Sequence, residues 1–166
     1  AKAGVPERRS FTDPTFVVDV KTGEEVTAIA SEDKRIAGDK RISLKTNGEE
    51  IGYFTYKIAD HMGHSSLMIT DLWVETKHQH KAGDNRVLKY VGLRLTQIAA
   101  ILSRDTEAKG AIDAPSGEKD RKAQNFYETL KPFGLKPYVI GDGIYWYIEA
   151  GDADKFVDDI ESAINS

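Results

Sequence analysis

Apolar and polar residues alternate along the first half of the chain and then recur at helical spacing through much of the second. Phe16-Val17-Val18-Asp19-Val20 is a β-branched run, Lys21-Thr22-Gly23-Glu24 is a turn, and Glu25 to Ala30 reads as a second short strand, so the pair predicts a hairpin. Ser31 to Lys40 is charged and reads either as a short helix or as a loop. Arg41 to Thr46 alternates strictly, as a half-buried strand does. Asn47-Gly48 is the strongest short hairpin signal, because both residues accept positive φ. Ile51 to Ala59 is the return strand. Ile51, Tyr53, Thr55 and Lys57 lie on one side, with Gly52, Phe54, Tyr56 and Ile58 on the other. After a turn at His61-Met62-Gly63-His64, Ser66 to Glu75 is the next strand, so residues 41–75 form an antiparallel meander.

The period then changes. Val87, Leu88, Val91, Leu95, Ile98 and Leu102 make an apolar stripe at helical spacing, which predicts a helix starting near Asn85. Arg86, Lys89, Arg94 and Arg104 fall on its other faces. Gly110 to Ala114 is a short strand ending at Pro115-Ser116-Gly117. A helix over Asp120 to Leu130 places Ala123, Phe126, Tyr127 and Leu130 on one face and stops at Lys131-Pro132. Leu135 to Ile140 and Ile144 to Ile148 flank Gly141-Asp142-Gly143 as a final hairpin. Asp152-Ala153-Asp154 opens a last helix with Phe156, Val157, Ile160 and Ile164 on its apolar face, and acidic residues suit its first turn. Residues 1–14, with Gly4, Pro6 and Pro14 and no apolar period, read as a flexible arm before a single domain over 15–166.

Composition narrows the function. The 166 residues are 40% hydrophobic and 30% charged, enough for one packed core. A net charge of −4 gives no global signature for nucleic acid or anionic lipid. The absence of cysteine excludes disulfides, thiolate metal sites and a cysteine nucleophile. His61, His64, His78 and His80 lack a spacing that specifies a metal and read as surface residues. No apolar run approaches a membrane span, AKAGVPERRS lacks a signal-peptide core, and a cytoplasmic protein is expected.

The chemistry is expected between Ile69 and Ser103, where a strand runs through a polar loop into the long helix. Such a loop turns backbone N–H groups inward beside a helix dipole and can hold a phosphate. Leu72-Trp73-Val74-Glu75 through Leu88 resembles the L-x-V-x-P-x-Y-R-G-K-G-x-G-x-x-L-L stretch of the GCN5-related N-acetyltransferase (GNAT) superfamily. Ala123 to Leu130, followed by Phe133-Gly134-Leu135, is similar to that family's N-x-x-A-x-x-F-Y-x-x-x-G-F. Without gaps, Thr76 replaces the proline, His78 the tyrosine, and Ala82 and Asp84 two glycines. A shifted frame puts Gly83 and Asn85 in the glycine roles, and Asp120 replaces the asparagine.

The resemblance implies an α/β (α+β) GNAT-like fold: a mixed, mostly antiparallel sheet with splayed central strands, flanking helices and an extra C-terminal helix. It implies acetyl-CoA or another acyl-CoA as co-substrate, an amine acceptor, and no metal. Leu72, Trp73 and Val74 would pair with the pantetheine, and Gln79, His80, Lys81, Ala82, Gly83, Asp84 and Asn85 would surround the pyrophosphate. Tyr127 matches the position that often protonates the departing thiolate, and Asp71 or Glu75 is a candidate base. Asp84 either caps the helix outward or repels the phosphate. The alternative is a catalytically inactive GNAT-like module that binds protein or nucleic acid. The cationic side of the helix, Arg86, Lys89 and Arg94, suggests a macromolecular acceptor. Tyr138, Tyr145, Trp146 and Tyr147 could line an acceptor pocket, a homodimer face or a core.

Overall fold

The computed structural model describes residues 10–33, 39–61, 63–117, 121–141 and 143–166. Most of the arm, Met62, Asp120 and Asp142 of the sequence reading therefore lie outside the described residues. Among the described residues nine strands, numbered in chain order, form one sheet in the order β6-β1-β2-β3-β4-β5-β7-β9-β8. β1 (Thr15–Asp19), β2 (Glu25–Asp33), β3 (Lys40–Thr46), β4 (Glu49–His61) and β5 (His64–Val74) make the antiparallel half. β7 (Ile112–Gly117), β8 (Lys136–Ile140) and β9 (Gly143–Ile148) complete the other side. β6 (Leu88–Lys89) pairs with the outer edge of β1. The contact of β5 with β7 is parallel, and the other ladders are antiparallel.

The Asn47-Gly48 hairpin forms as its residues dictate, with φ of 50° and 81°. The strand expected to stop at Pro115 continues to Gly117. Pro115 pairs with Tyr145 of β9, and its missing N–H is tolerated because the other edge of β7 lacks a ladder there.

α1 (Val91–Arg104) packs on β4, β5, β7 and α3 (Ala153–Asn165), while α2 (Arg121–Glu128) follows β7. The core between sheet and helices includes Ile42, Leu44, Phe54, Leu67, Leu95, Phe156 and Ile160. Two sequence expectations about α1 fail. The helix begins at Val91, not near Asn85, because Leu88 and Lys89 are drawn into the sheet. Val87 of the expected stripe is accordingly exposed.

Arg94 is the second correction. It is fully buried rather than part of a cationic face. Its guanidinium donates to Phe16 O (2.8 Å), Gln97 Oε1 (2.8 Å) and Glu161 Oε1 (2.7 Å), joining α1 to β1 and α3. Burial alone would raise the Glu161 carboxyl, but hydrogen bonds from Arg94 and Gln97 outweigh it and hold the pKa down at about 2. Arg86 and Lys89 precede the helix, so the expected cationic side does not exist.

Candidate functional site

The site grows out of β5, whose two edges differ. β4 pairs with it from His64 to Val74, with a one-residue slip at Thr70. Among the described residues β7 pairs with it at Leu67 and Met68 alone. Past Met68 the two strands part, while β7 continues its ladder with β9. The slip at Thr70 is a β-bulge, which bends and twists a strand locally, and it lies just where β5 leaves β7.

Hydrogen-bond alternation shows which main-chain groups face the gap. Glu75 N donates to Ile51 O (3.0 Å), so this pair is of the hydrogen-bonded type. In an antiparallel ladder the next pair turns its groups the other way. Val74 and Leu72 therefore direct N–H and C=O toward the gap, and Trp73 directs its own toward β4. Of the three residues expected to offer the pairing edge, two present main chain and Trp73 does not.

Between β5 and α1 the chain makes two short 3-10 turns, Thr76–His78 and His80–Asn85. The base of this excursion is closed by Val87 N to Lys77 O (2.8 Å) and Leu88 N to His78 Nδ1 (3.2 Å). His78 is 3% exposed, which corrects the expectation of a surface histidine. Burial lowers its pKa, partly opposed by Glu75, whose carboxylate lies 3.9 Å from Nε2. Nδ1 is the acceptor of the Leu88 N–H, and burial favours the neutral ring. Gln79 turns its carboxamide to Val74 O (2.7 Å). Ala82 is half-buried, while Gly83, Asp84 and Asn85 are exposed, Gly83 at φ 59°. The helix does not begin beside them, so Asp84 is not its N-cap. Of His80 and Lys81 only the backbone is described.

The residues that do meet the helix start are Lys89, Tyr90, Val91 and Gly92. Tyr90 is the N-cap at φ 77°, a left-handed conformation that costs a non-glycine residue about 1–2 kcal/mol. A Cβ on Gly92 would lie 2.6 Å from Phe126 Cε1, so glycine is what lets α2 close over this turn. The first turn of α1 holds no acidic residue and no side-chain cap. Lys89-Tyr90-Val91-Gly92-Leu93-Arg94-Leu95 has the spacing K-G-x-G-x-x-L with tyrosine for the first glycine.

Tyr127 of α2 is 5% exposed, its ring 5.3 Å from that of Phe126 and 6.3 Å from that of Trp146. The indole N–H of Trp146 is buried without a hydrogen-bond partner. Asp71 is exposed and accepts a hydrogen bond from Tyr53 Oη (3.1 Å). Tyr53 packs against Trp73 at 5.5 Å, and Arg41 lies 3.9 Å from the Tyr53 ring centroid. Burial, with Asp71 adding to it, raises the Tyr53 pKa. Glu75 is half-buried, 3.8 Å from Lys77 Nζ. One acid escaped the sequence reading. Asp113 is 1% exposed at the last β5–β7 rung and accepts from Tyr138 Oη (3.3 Å). Among the described residues, no three His, Cys, Asp or Glu side chains converge on a metal position, and no helix is long and apolar enough to cross a membrane.

No protein-family model and no curated protein matches the sequence. Solved structures do. An uncharacterised protein from Bacillus halodurans is 11% identical with a TM-score of 0.54, covering 92% of this chain and 98% of its own. A point mutant of the AtaT toxin, bound to the C-terminus of the antitoxin AtaR, is 16% identical with a TM-score of 0.52, covering 70% of this chain and 69% of its own. A protein from Desulfovibrio desulfuricans assigned to the GNAT acetyltransferases is 15% identical with a TM-score of 0.49, covering 68% and 69%. This chain shares the fold of the Bacillus halodurans and AtaT structures, a mixed sheet with parted central strands and flanking helices, which bears out the GNAT-like α/β architecture expected from the sequence.

Proposed function

We propose that this chain is an N-acyltransferase that moves an acetyl or other acyl group from acyl-CoA to an amine. The observation that carries the reading is the parting of β5 from β7, which leaves the main chain of Leu72 and Val74 directed into the gap. An extended amide-bearing ligand such as pantetheine can add there as a strand does. The pyrophosphate belongs at the N–H groups of Val91, Gly92 and Leu93, where the helix dipole favours an anion. This moves it away from residues 80–85 and removes the conflict with Asp84.

In the reaction the amine nitrogen attacks the thioester carbonyl carbon, the carbon–sulfur bond breaks, and the acyl group stays on nitrogen. The CoA sulfur takes a proton from Tyr127, and the amine gives one up to a base, directly or through water. Asp71, Glu75 and the buried Asp113 are the candidates for that base. The cytoplasm, where acyl-CoA is made and used, is the proposed location.

A second reading, a non-catalytic module on the same fold, draws on the sheet edge at β8. There Val139 is 70% exposed and Ile140 47%, an apolar edge of the kind that recruits another chain. The AtaT structure shows that a neighbour of similar fold binds a peptide segment. Isothermal titration with acetyl-CoA separates the two readings. Saturable heat supports the enzyme, and no detectable heat at millimolar ligand removes it.

A further inference from the structure

We propose that Gln79 is a gate on the open edge of β5, competing with the ligand for the carbonyl of Val74. The inference rests on the acyl-CoA reading and adds a residue that sets how the ligand engages. Val74 C=O is one of the few main-chain acceptors that face the gap, and the Gln79 carboxamide already occupies it at 2.7 Å. The side chain is aimed by its backbone. Gln79 N donates to Thr76 O (3.1 Å) and Gln79 O accepts from Ala82 N (3.0 Å), so both 3-10 turns grip this residue. Immediately before it, buried His78 fastens the excursion to Leu88. A ligand amide pairing with β5 at Val74 must exchange its own N–H for that of Gln79. The exchange makes one hydrogen bond and breaks another, so the wild-type chain forgoes the net gain of that contact.

The test compares wild type with Gln79→Met, which keeps the length but cannot donate, and with Gln79→Asn, which is too short to reach. Each is titrated with CoA and with adenosine 3′,5′-bisphosphate, which lacks pantetheine. Both variants are expected to bind CoA about two- to tenfold more tightly and the nucleotide unchanged. Thermal melts confirm that they fold. CoA affinity that is equal or lower in both variants, with wild type binding, overturns the gate and leaves the acyl-CoA reading standing. A parallel gain for the nucleotide also overturns it, because the effect would then arise at the phosphate end. If none of the three chains binds CoA at millimolar concentration, the acyl-CoA reading fails and the gate falls with it.

Discussion

Along its β4 edge β5 is paired from His64 to Val74, and along its β7 edge it is paired at Leu67 and Met68 alone. The first edge is built for permanence. Gly52, opposite Val74, has no room for a side chain, since a Cβ would lie 2.8 Å from Trp73 O and 2.9 Å from Leu95 Cδ1. The second edge leaves polar main chain to be satisfied by something else, and Gln79 satisfies part of it. A strand can hold a gap open only if its other side is rigid. The rigidity comes from β4, from α1 beneath and from the Arg94 network that ties α1 to α3.

The comparison breaks most severely at that network. Glu161→Gln leaves the Arg94 charge buried and weakly paired, at an expected cost of about 3 kcal/mol in denaturant titration, with CoA affinity of the folded fraction lowered because the support of the gap is loosened. The same substitution flattens the acid limb. With a folded pKa near 2 against 4.5, Glu161 contributes stability that is full above pH 4.5 and is lost as pH falls toward 2. A wild-type profile with no loss in that window contradicts the network.

Gly52→Ala attacks the closed edge directly. Overpacking there is expected to cost about 1–3 kcal/mol and to push α1 away from β4, so its melting temperature and its CoA affinity should fall together. A neutral result would mean that the α1 side chains yield to the methyl and that this edge is not tightly packed.

A smaller effect is expected at the excursion. Burial depresses the folded pKa of His78, so its contribution is present in full above the unfolded value of 6.5 and is lost as pH falls through the depressed one. Glu75, Glu49, Lys77 and Arg86 set the local field. The protection factor of the Leu88 amide, its exchange rate relative to the base-catalysed intrinsic rate, should fall in that range, and His78→Asn, which keeps an acceptor, should remove that fall. A protection factor indifferent to pH would rule out the latch.

The smallest effect tests the paired end of β5. Ser66 is fully buried and its hydroxyl has no partner. Ser66→Ala is expected to leave stability unchanged or raise it by up to about 1 kcal/mol. A clear loss would show that the hydroxyl has a ligand or a water to serve.

The strands were legible because each carries a period-two pattern and its turn residues, as at Asn47-Gly48. The splay was legible only through resemblance, since nothing in the side chains of Leu67 to Val74 says where a neighbour departs. The helix start was misread for a physical reason. Leu88 is apolar and in phase with the α1 stripe, yet its N–H is claimed by His78 and its backbone by β1. Phase along one element cannot reveal a competing partner 78 residues away in contact, as with Arg94 and Phe16. The burial of Arg94 was hidden likewise, because its partner Glu161 lies on another helix.

The closed base of the excursion also makes the chain modular. With Lys77 and His78 fastened to Val87 and Leu88, and Gln79 tied to Val74, the exposed tip at Asp84 and Asn85 stands apart from the sheet and the helix. Asp84 is exposed, and its backbone does not need glycine as that of Gly83 does at φ 59°. A fluorophore attached through Asp84→Cys, in a chain without other cysteines, would report occupancy of the gap optically and leave the sheet and the helix as they are.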